Sequence, residues 1–154
     1  MAEEVVGADE QCVVLHSRPG HLCFLPKSWS RVLPENRDPS VIGGYAWDAG
    51  KRWAVKCQLT FHPEKISLFF EIARMEDRKA QVACVKRLDA GEFSLGKIAF
   101  TGDAKYSKFF SESRPVPDMA DEDAVRAAIT HLLAKAKEKF PAAEKAFREV
   151  FGQR

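Results

Sequence analysis

The chain has 154 residues, a formal net charge of +2 and 45% hydrophobic residues, which suits a single soluble domain of ordinary size. A charge this close to zero argues against a strongly acidic mimic of DNA and against a dedicated nucleic-acid binder, which is usually clearly basic. No apolar run approaches the roughly 18 residues of a membrane span. The acidic start Met1–Glu4 is unlike the basic start of a signal peptide, so we expect a cytoplasmic protein with no membrane partner.

The N-terminal third of the chain predicts several short elements. Residues 1–10 are polar and predict a flexible N-terminus, followed by a single domain over residues 11–154. Two apolar segments, Gln11–His16 and His21–Leu25, predict strands joined by a turn. Pro26–Leu33 then predicts a short helix, because proline is tolerated at a helix start and the apolar residues of the segment share one side.

The first predicted hairpin brings two histidines and a cysteine together. If His16 pairs with His21, alternate residues of the two strands lie on one face. The residues on that face are Cys12, Val14, His16, His21, Cys23 and Leu25. Imidazole and thiolate groups are zinc ligands, but the spacing matches no established zinc motif. Partly exposed histidines beside a turn are the favoured interpretation, so we predict no metal and no cofactor and keep His16, His21 and Cys23 as the alternative.

The segment Pro34–Lys51 has no regular pattern, because prolines and glycines interrupt it. A loop of this length is uncommon inside a compact domain and is usually functional or mobile. It contains Tyr45 and Trp47, aromatic residues that either cover one end of the core or contact a partner. We predict that this loop forms part of a binding surface.

The segment Trp53–Ile72 predicts one long β-hairpin. Apolar and polar residues alternate on both sides of a turn that contains Pro63. If Phe61 pairs with Ile66, the apolar residues of both strands fall on the same face. The opposite, solvated face then carries Lys56, Gln58 and Thr60.

The C-terminal half adds helices and further strands. Glu76–Leu88 predicts a helix, Lys97–Phe100 and Tyr106–Phe110 predict strands, and an acidic helix start at Asp121 begins an apolar stripe that Pro141 kinks or restarts. The whole pattern predicts an α+β domain, with an antiparallel sheet of about four to six strands and C-terminal helices packed on one face.

Function is predicted from charge and from the absence of catalytic motifs. Residues 51–113 hold twelve basic and eight acidic residues, and Lys51, Arg52, Lys56 and Lys65 would lie on or beside the solvated face of the hairpin. Such a set can contact phosphates and carries little sequence information. Lysines that only keep the solvated face of the sheet soluble are the alternative, and the pattern favours it. We predict a non-catalytic binding module for a macromolecular partner, either protein or nucleic acid. The alternative is a small metal-dependent hydrolase or nuclease-like enzyme that uses the His16, His21 and Cys23 group or His62.

A family resemblance covers residues 21–151. A strand leading into Pro-Lys-x-Trp, at Leu22–Trp29, precedes the hairpin that ends at Leu68–Ile72, and a Lys-Tyr-Ser-Lys segment at Lys105–Lys108 and the acidic start Asp121–Asp123 follow. This order resembles the C-terminal accessory module of bacterial PD-(D/E)XK nuclease-superfamily proteins. The nuclease signature is not recognisable, so no catalytic residue is transferred. The resemblance implies a module of bacterial or phage origin linked to DNA metabolism or defence.

Overall fold

The computed structural model describes residues 1–35 and 53–152. Within them, five strands form one antiparallel sheet in the order β1-β2-β3-β4-β5, so each strand pairs with its neighbours in sequence. The predicted α+β class is confirmed. The elements are α1 (Ala2–Gly7), β1 (Cys12–Arg18), β2 (His21–Pro26), α2 (Lys27–Ser30), β3 (Val55–Phe61), β4 (Lys65–Ala73), α3 (Arg78–Ala90), a 3₁₀ helix (Lys97–Thr101), β5 (Tyr106–Pro115) and α4 (Glu122–Phe151).

The hairpin of β3 and β4 has the predicted register. Phe61 pairs with Ile66, and Val55 pairs with Ile72 at the other end of the ladder. The alternating apolar side chains of both strands therefore point to one face, where they are buried. We call the face that packs against α4 the inner face and the opposite face the outer face.

Trp29 lies at the centre of the inner layer. Its ring meets Phe70, Phe140 and Phe147 edge to face, with centroid separations of 5.2, 5.4 and 5.1 Å. Its indole Nε1 donates a hydrogen bond of 3.2 Å to the carbonyl oxygen of Phe140. This buried donor is therefore satisfied, and Trp29 fixes α2 to α4 on the inner face of the sheet.

The C-terminal helix is continuous from Glu122 to Phe151 and contains Pro141 in its interior. Its first turn is capped by Asp121, whose carboxylate accepts a hydrogen bond of 3.1 Å from the Ala124 amide. The predicted apolar stripe faces the sheet, because the residues at helical spacing are buried. They include Val125, Ile129, Leu132, Ala136, Phe140, Ala143, Phe147 and Phe151.

The N-terminus differs from the flexible segment that the sequence predicts. Ala2–Gly7 form a helix, and Val6 is completely buried in the core. After the helix, the carboxylate of Asp9 accepts a hydrogen bond of 2.8 Å from Nζ of Lys137 on α4. The buried Val6 and the ion pairs Asp9–Lys137 and Glu4–Arg126 thus attach this N-terminal segment to the domain.

The segment before β5 corrects the sequence prediction. Lys97–Phe100 was expected as a strand, but Lys97–Thr101 form a 3₁₀ helix in which Ala99 is buried and Ile98 is 61% exposed. A run of four residues is too short for its apolar period to distinguish a strand from a helix, so the sequence of this segment does not decide between them. The strand instead occupies Tyr106–Pro115 and is longer than predicted.

Candidate functional site on the outer face of the sheet

The outer face is the side on which polar side chains gather. α1, α2 and α3 each pack against α4, so the described helices lie on the inner side. Strand pairing places residues of all five strands in rows on the outer face. These residues include His16, Arg18, His21, Cys23, Lys56, Gln58, Thr60, Ser67, Phe69, Glu71, Lys108, Ser111 and Ser113.

The hairpin of β1 and β2 is tighter than the sequence analysis predicts. Arg18 pairs with His21 across Pro19 and Gly20, so the expected pairing of His16 with His21 is wrong by two residues. Gly20 has φ +90°, the value that the third residue of a type II turn requires and that glycine adopts without strain. A shift of two residues preserves the faces of a strand. His16, His21 and Cys23 therefore share the outer face, as predicted.

A β-bulge between Val14 and His16 divides β1 into two halves. The extra residue changes the alternation, so Val14 pairs with Phe24 and Cys12 pairs with Pro26. Cys12 and Val14 consequently belong to the inner layer, where Cys12 is buried. The prediction that they share a face with the histidines is wrong, because no residue pattern in the strand signals the bulge.

The two histidines and Cys23 converge on one point. His16 Nε2 and His21 Nε2 are 3.0 Å apart, and the potential ligand atoms of the three residues all lie within 4.8 Å of one another. Both imidazole rings are half-buried, whereas Cys23 is completely buried. The thiol of Cys23 donates a hydrogen bond of 3.5 Å to Oε1 of Gln58 on the neighbouring strand.

A chain of polar contacts continues from Gln58 across β3 and β4. Lys56 Nζ donates to Oε1 of Gln58 at 2.9 Å, and Nε2 of Gln58 donates to Oγ1 of Thr60 at 3.0 Å. Lys56 also forms an ion pair of 3.4 Å with Glu71. Lys56 is only 3% exposed, so the prediction of a solvated lysine at this position is wrong.

Burial and neighbouring charges change the proton affinities of this group. The pKa of His21 lies below its ordinary value, first because of partial burial and then because of the charges of Lys56 and Arg18. Burial raises the pKa of the Cys23 thiol to about 11, with Lys56 and Arg18 opposing the shift and Glu71 adding to it. Burial thus favours the neutral imidazole of His21 and the thiol form of Cys23.

A depression of about 300 Å³ lies on the other half of the outer face, across β3, β4 and β5. Its lining consists of Thr60, His62, Lys65, Ser67, Phe69, Lys108, Ser111 and Ser113. The hydroxyls of Ser67 and Ser113 are 2.8 Å apart, and Nζ of Lys108 lies 4.1 Å from the centroid of the Phe69 ring. Both charged residues of the lining are lysines.

The structure brings only some of the predicted site residues together. Lys65 is exposed at the depression, and His62 lines it beside the turn. Four further predicted residues, Tyr45, Trp47, Lys51 and Arg52, lie outside the described residues. Three residues of the lining, Lys108, Ser111 and Ser113, were not predicted as binding residues from the sequence. The alternation of β5 would have identified them, but a second bulge lies opposite Phe70 and Glu71 and interrupts that alternation.

A larger groove of about 380 Å³ between α3 and α4 is a weaker candidate. Opposite charges line it and pair with each other, as Arg87 does with Glu149 at 3.5 Å. Glu92, at the same groove, pairs with Lys139 at 2.8 Å. Because acidic and basic side chains at this groove pair with each other, they attract a charged ligand less strongly than the lysines of the outer face do.

Comparison with known proteins assigns no family. No protein-family model, curated protein or solved structure matches the chain. The resemblance to a nuclease-superfamily accessory module therefore stays a prediction from sequence. None of the helices in the described part of the chain combines the length and apolar character that crossing a bilayer requires.

Proposed function

We propose that this protein is a non-catalytic binding module that holds a nucleic acid on the outer face of its sheet. The observation that supports this best is the lining of the depression across β3, β4 and β5. Lys65 and Lys108 contribute cations, and four hydroxyl side chains surround them. These are the groups that contact phosphate oxygens in protein–nucleic acid interfaces.

The arrangement favours phosphate contacts over base-specific ones. Both lysines are exposed, and Ser111 and Ser113 beside them are exposed as well. Lysine and serine bind the backbone of a nucleic acid without reporting its sequence. A module of this kind would bind with modest affinity and strong dependence on salt, because the binding releases condensed counterions.

Two sequence observations support the same proposal. The chain has no recognisable catalytic motif, and its resemblance to an accessory module of nuclease-superfamily proteins implies a role near DNA. The sequence also predicts Tyr45, Trp47, Lys51 and Arg52 as binding residues for a macromolecular partner. Stacking of a base on an aromatic ring contributes about 1–3 kcal/mol.

Fluorescence anisotropy with labelled single-stranded and double-stranded oligonucleotides tests the proposal. We expect binding at low salt that weakens linearly on a plot of log affinity against log salt concentration. The double variant Lys65→Gln/Lys108→Gln should bind more weakly for all sequences and reduce the salt slope by about 2, one for each lost phosphate contact.

The matched control is Lys97→Gln/Lys135→Gln, which removes two exposed lysines from the 3₁₀ helix and α4, outside the lining of the depression. This control has the same net charge as the test variant but leaves the depression unchanged, so it should bind nearly as well as the unmodified chain. Equal losses in both variants would mean that general charge, and not the depression, attracts the oligonucleotide. No binding at low salt would reject a nucleic acid and leave a protein as the partner.

A further inference from the structure

We propose that His16, His21 and Cys23 bind one borderline-soft divalent cation of the zinc type on the outer face. This inference does not depend on the proposed function, since the ligands lie on β1 and β2 and the depression lies across β3, β4 and β5. It differs from the prediction made from sequence, which favoured histidines without a metal. The reason is that the structure places all three ligand atoms around one point.

The distances are close to those of a tetrahedral site. Zinc binds imidazole nitrogen at about 2.0–2.1 Å and thiolate sulfur at about 2.3 Å, so tetrahedral geometry separates two nitrogens by about 3.3 Å and a nitrogen from a sulfur by about 3.6 Å. The two Nε2 atoms are 3.0 Å apart, and the three ligand atoms lie within 4.8 Å of one another. Coordination would bring the nitrogen and sulfur atoms closer together through rotation of the half-buried imidazole rings.

The backbone holds these ligands without help from a flexible loop. His16 lies directly opposite Cys23 in the ladder, and His21 is two residues before Cys23 on the same face. β2 is paired on its other side with β3, where Cys23 lies opposite Gln58. Ligands on paired strands are positioned more precisely than ligands on loops, so little ordering accompanies metal binding.

The surroundings provide partners outside the ligand set. Gln58 contacts Cys23 and is itself held by Lys56 and Thr60. Polar groups in this position orient the ligands of metal sites and tune their affinity. The positive charge of Lys56 would repel a metal ion at this site. The carboxylate of Glu71, which pairs with Lys56, offsets that repulsion.

The chemistry of the ligands limits which ion fits. Two nitrogens and one sulfur favour zinc over Mg²⁺ and Ca²⁺, which prefer oxygen. The ligand form of cysteine is the thiolate, so zinc binding would release the Cys23 proton to solvent and should strengthen as pH rises. The cluster has three ligands within the described residues, so a tetrahedral ion would keep one position for water. We therefore expect one zinc ion for each chain, bound with an accessible coordination position.

Zinc titration in competition with a chromophoric chelator tests the site directly, using the full chain without a histidine tag. The ligand variants His16→Gln, His21→Gln and Cys23→Ala should each lose more affinity than the roughly 10–100-fold that loss of an outer partner costs. Gln58→Ala, which removes such a partner, should fall within that range. The matched controls His62→Gln and Cys84→Ala remove the same residue types elsewhere and should retain the affinity of the unmodified chain.

Cobalt substitution tests whether the Cys23 sulfur itself binds the metal, because a residue that only stabilises the fold gives no metal-dependent absorption band. Co²⁺ bound at this site should show a thiolate-to-cobalt charge-transfer band, lost in Cys23→Ala and kept in Cys84→Ala. Circular dichroism checks that each variant is folded. If Cys23→Ala does not fold, the variants of the half-buried His16 and His21 still test the site. Absence of zinc binding at one equivalent, unchanged affinity in the ligand variants, or cobalt binding without the thiolate band would overturn the proposal.

Discussion

The inner and outer faces of this sheet share the same strands but are stabilised differently. On the inner face, Trp29 and Phe70 pack against aromatic residues of α4. On the outer face, polar side chains pair with each other, and Lys56 and Glu71 are almost as buried as the core. The comparison teaches that alternation assigns a residue to a face of the sheet, whereas its exposure depends on the partners it meets there.

The largest expected effect is on the inner face. Phe70→Ala should lower the free energy of unfolding by about 3–5 kcal/mol, because the ring is completely buried and truncation leaves a cavity. Chemical denaturation measures the change. Ile98→Ala, at a 61% exposed position, is the control and should stay within about 0.5 kcal/mol of the unmodified chain. A loss below about 1 kcal/mol for Phe70→Ala would contradict the packing of the inner layer.

The second prediction concerns the buried ion pair of the outer face. Lys56→Met should destabilise the protein by about 3 kcal/mol, because Glu71 keeps a buried charge without this cation. Replacing both residues by methionine should restore much of the loss, since a buried pair is often no more stable than apolar residues of similar size. Denaturation of both variants at pH 7 distinguishes these effects. If Lys56→Met costs no more than the exposed Lys97→Met, the outer face is more hydrated than its geometry indicates.

The smallest expected effect comes from an ion pair on the inner side. Partial burial raises the pKa of Asp9, but hydrogen bonds from Lys137 and the Gln11 amide and the charge of Lys137 outweigh it, so the pKa lies below its ordinary value. Asp9→Asn should cost about 1 kcal/mol at pH 7. Because the carboxyl binds its proton more weakly in the folded chain, this contribution exists above the unfolded-state pKa of about 3.9 and is lost as pH falls through the folded-state value.

Denaturation of both chains across this pH range checks the sign. The unmodified chain and Asp9→Asn should become equally stable at low pH. The matched control is Glu4→Gln, at an exposed pair with Arg126, whose loss should change stability by no more than a few tenths of a kcal/mol. A stability difference for Asp9→Asn that grows as pH falls would reject the assignment of the pair.

The long hairpin was predictable because its pattern is long and consistent. Alternation on both sides of Pro63 leaves one register that buries the apolar residues of both strands, and Phe61 pairs with Ile66 as expected. The same register places Lys56 opposite Glu71. The ion pair of Lys56 with Glu71 thus follows from the predicted register, whereas the burial of Lys56 depends on the side chains around it.

The candidate site was only partly predictable. That His16, His21 and Cys23 share a face followed from the alternation of side chains along each strand. This alternation is unchanged when the predicted pairing is wrong by two residues. The bulge after Val14 did not follow, because backbone irregularities depend on the neighbouring strand. Whether the ligand atoms converge is decided by side-chain rotation on the folded sheet, and no spacing in the sequence reports it.

The order of the strands has a consequence for the time course of folding. Two of the strand pairs, β1–β2 and β3–β4, are hairpins that close short loops and form within microseconds. By contrast, the contact of Trp29 with Phe140 joins residues 111 positions apart. Closing so long a loop costs more chain entropy. We therefore expect the hairpins to form first and the last helix to dock late, so that burial of the Trp29 indole marks the final step.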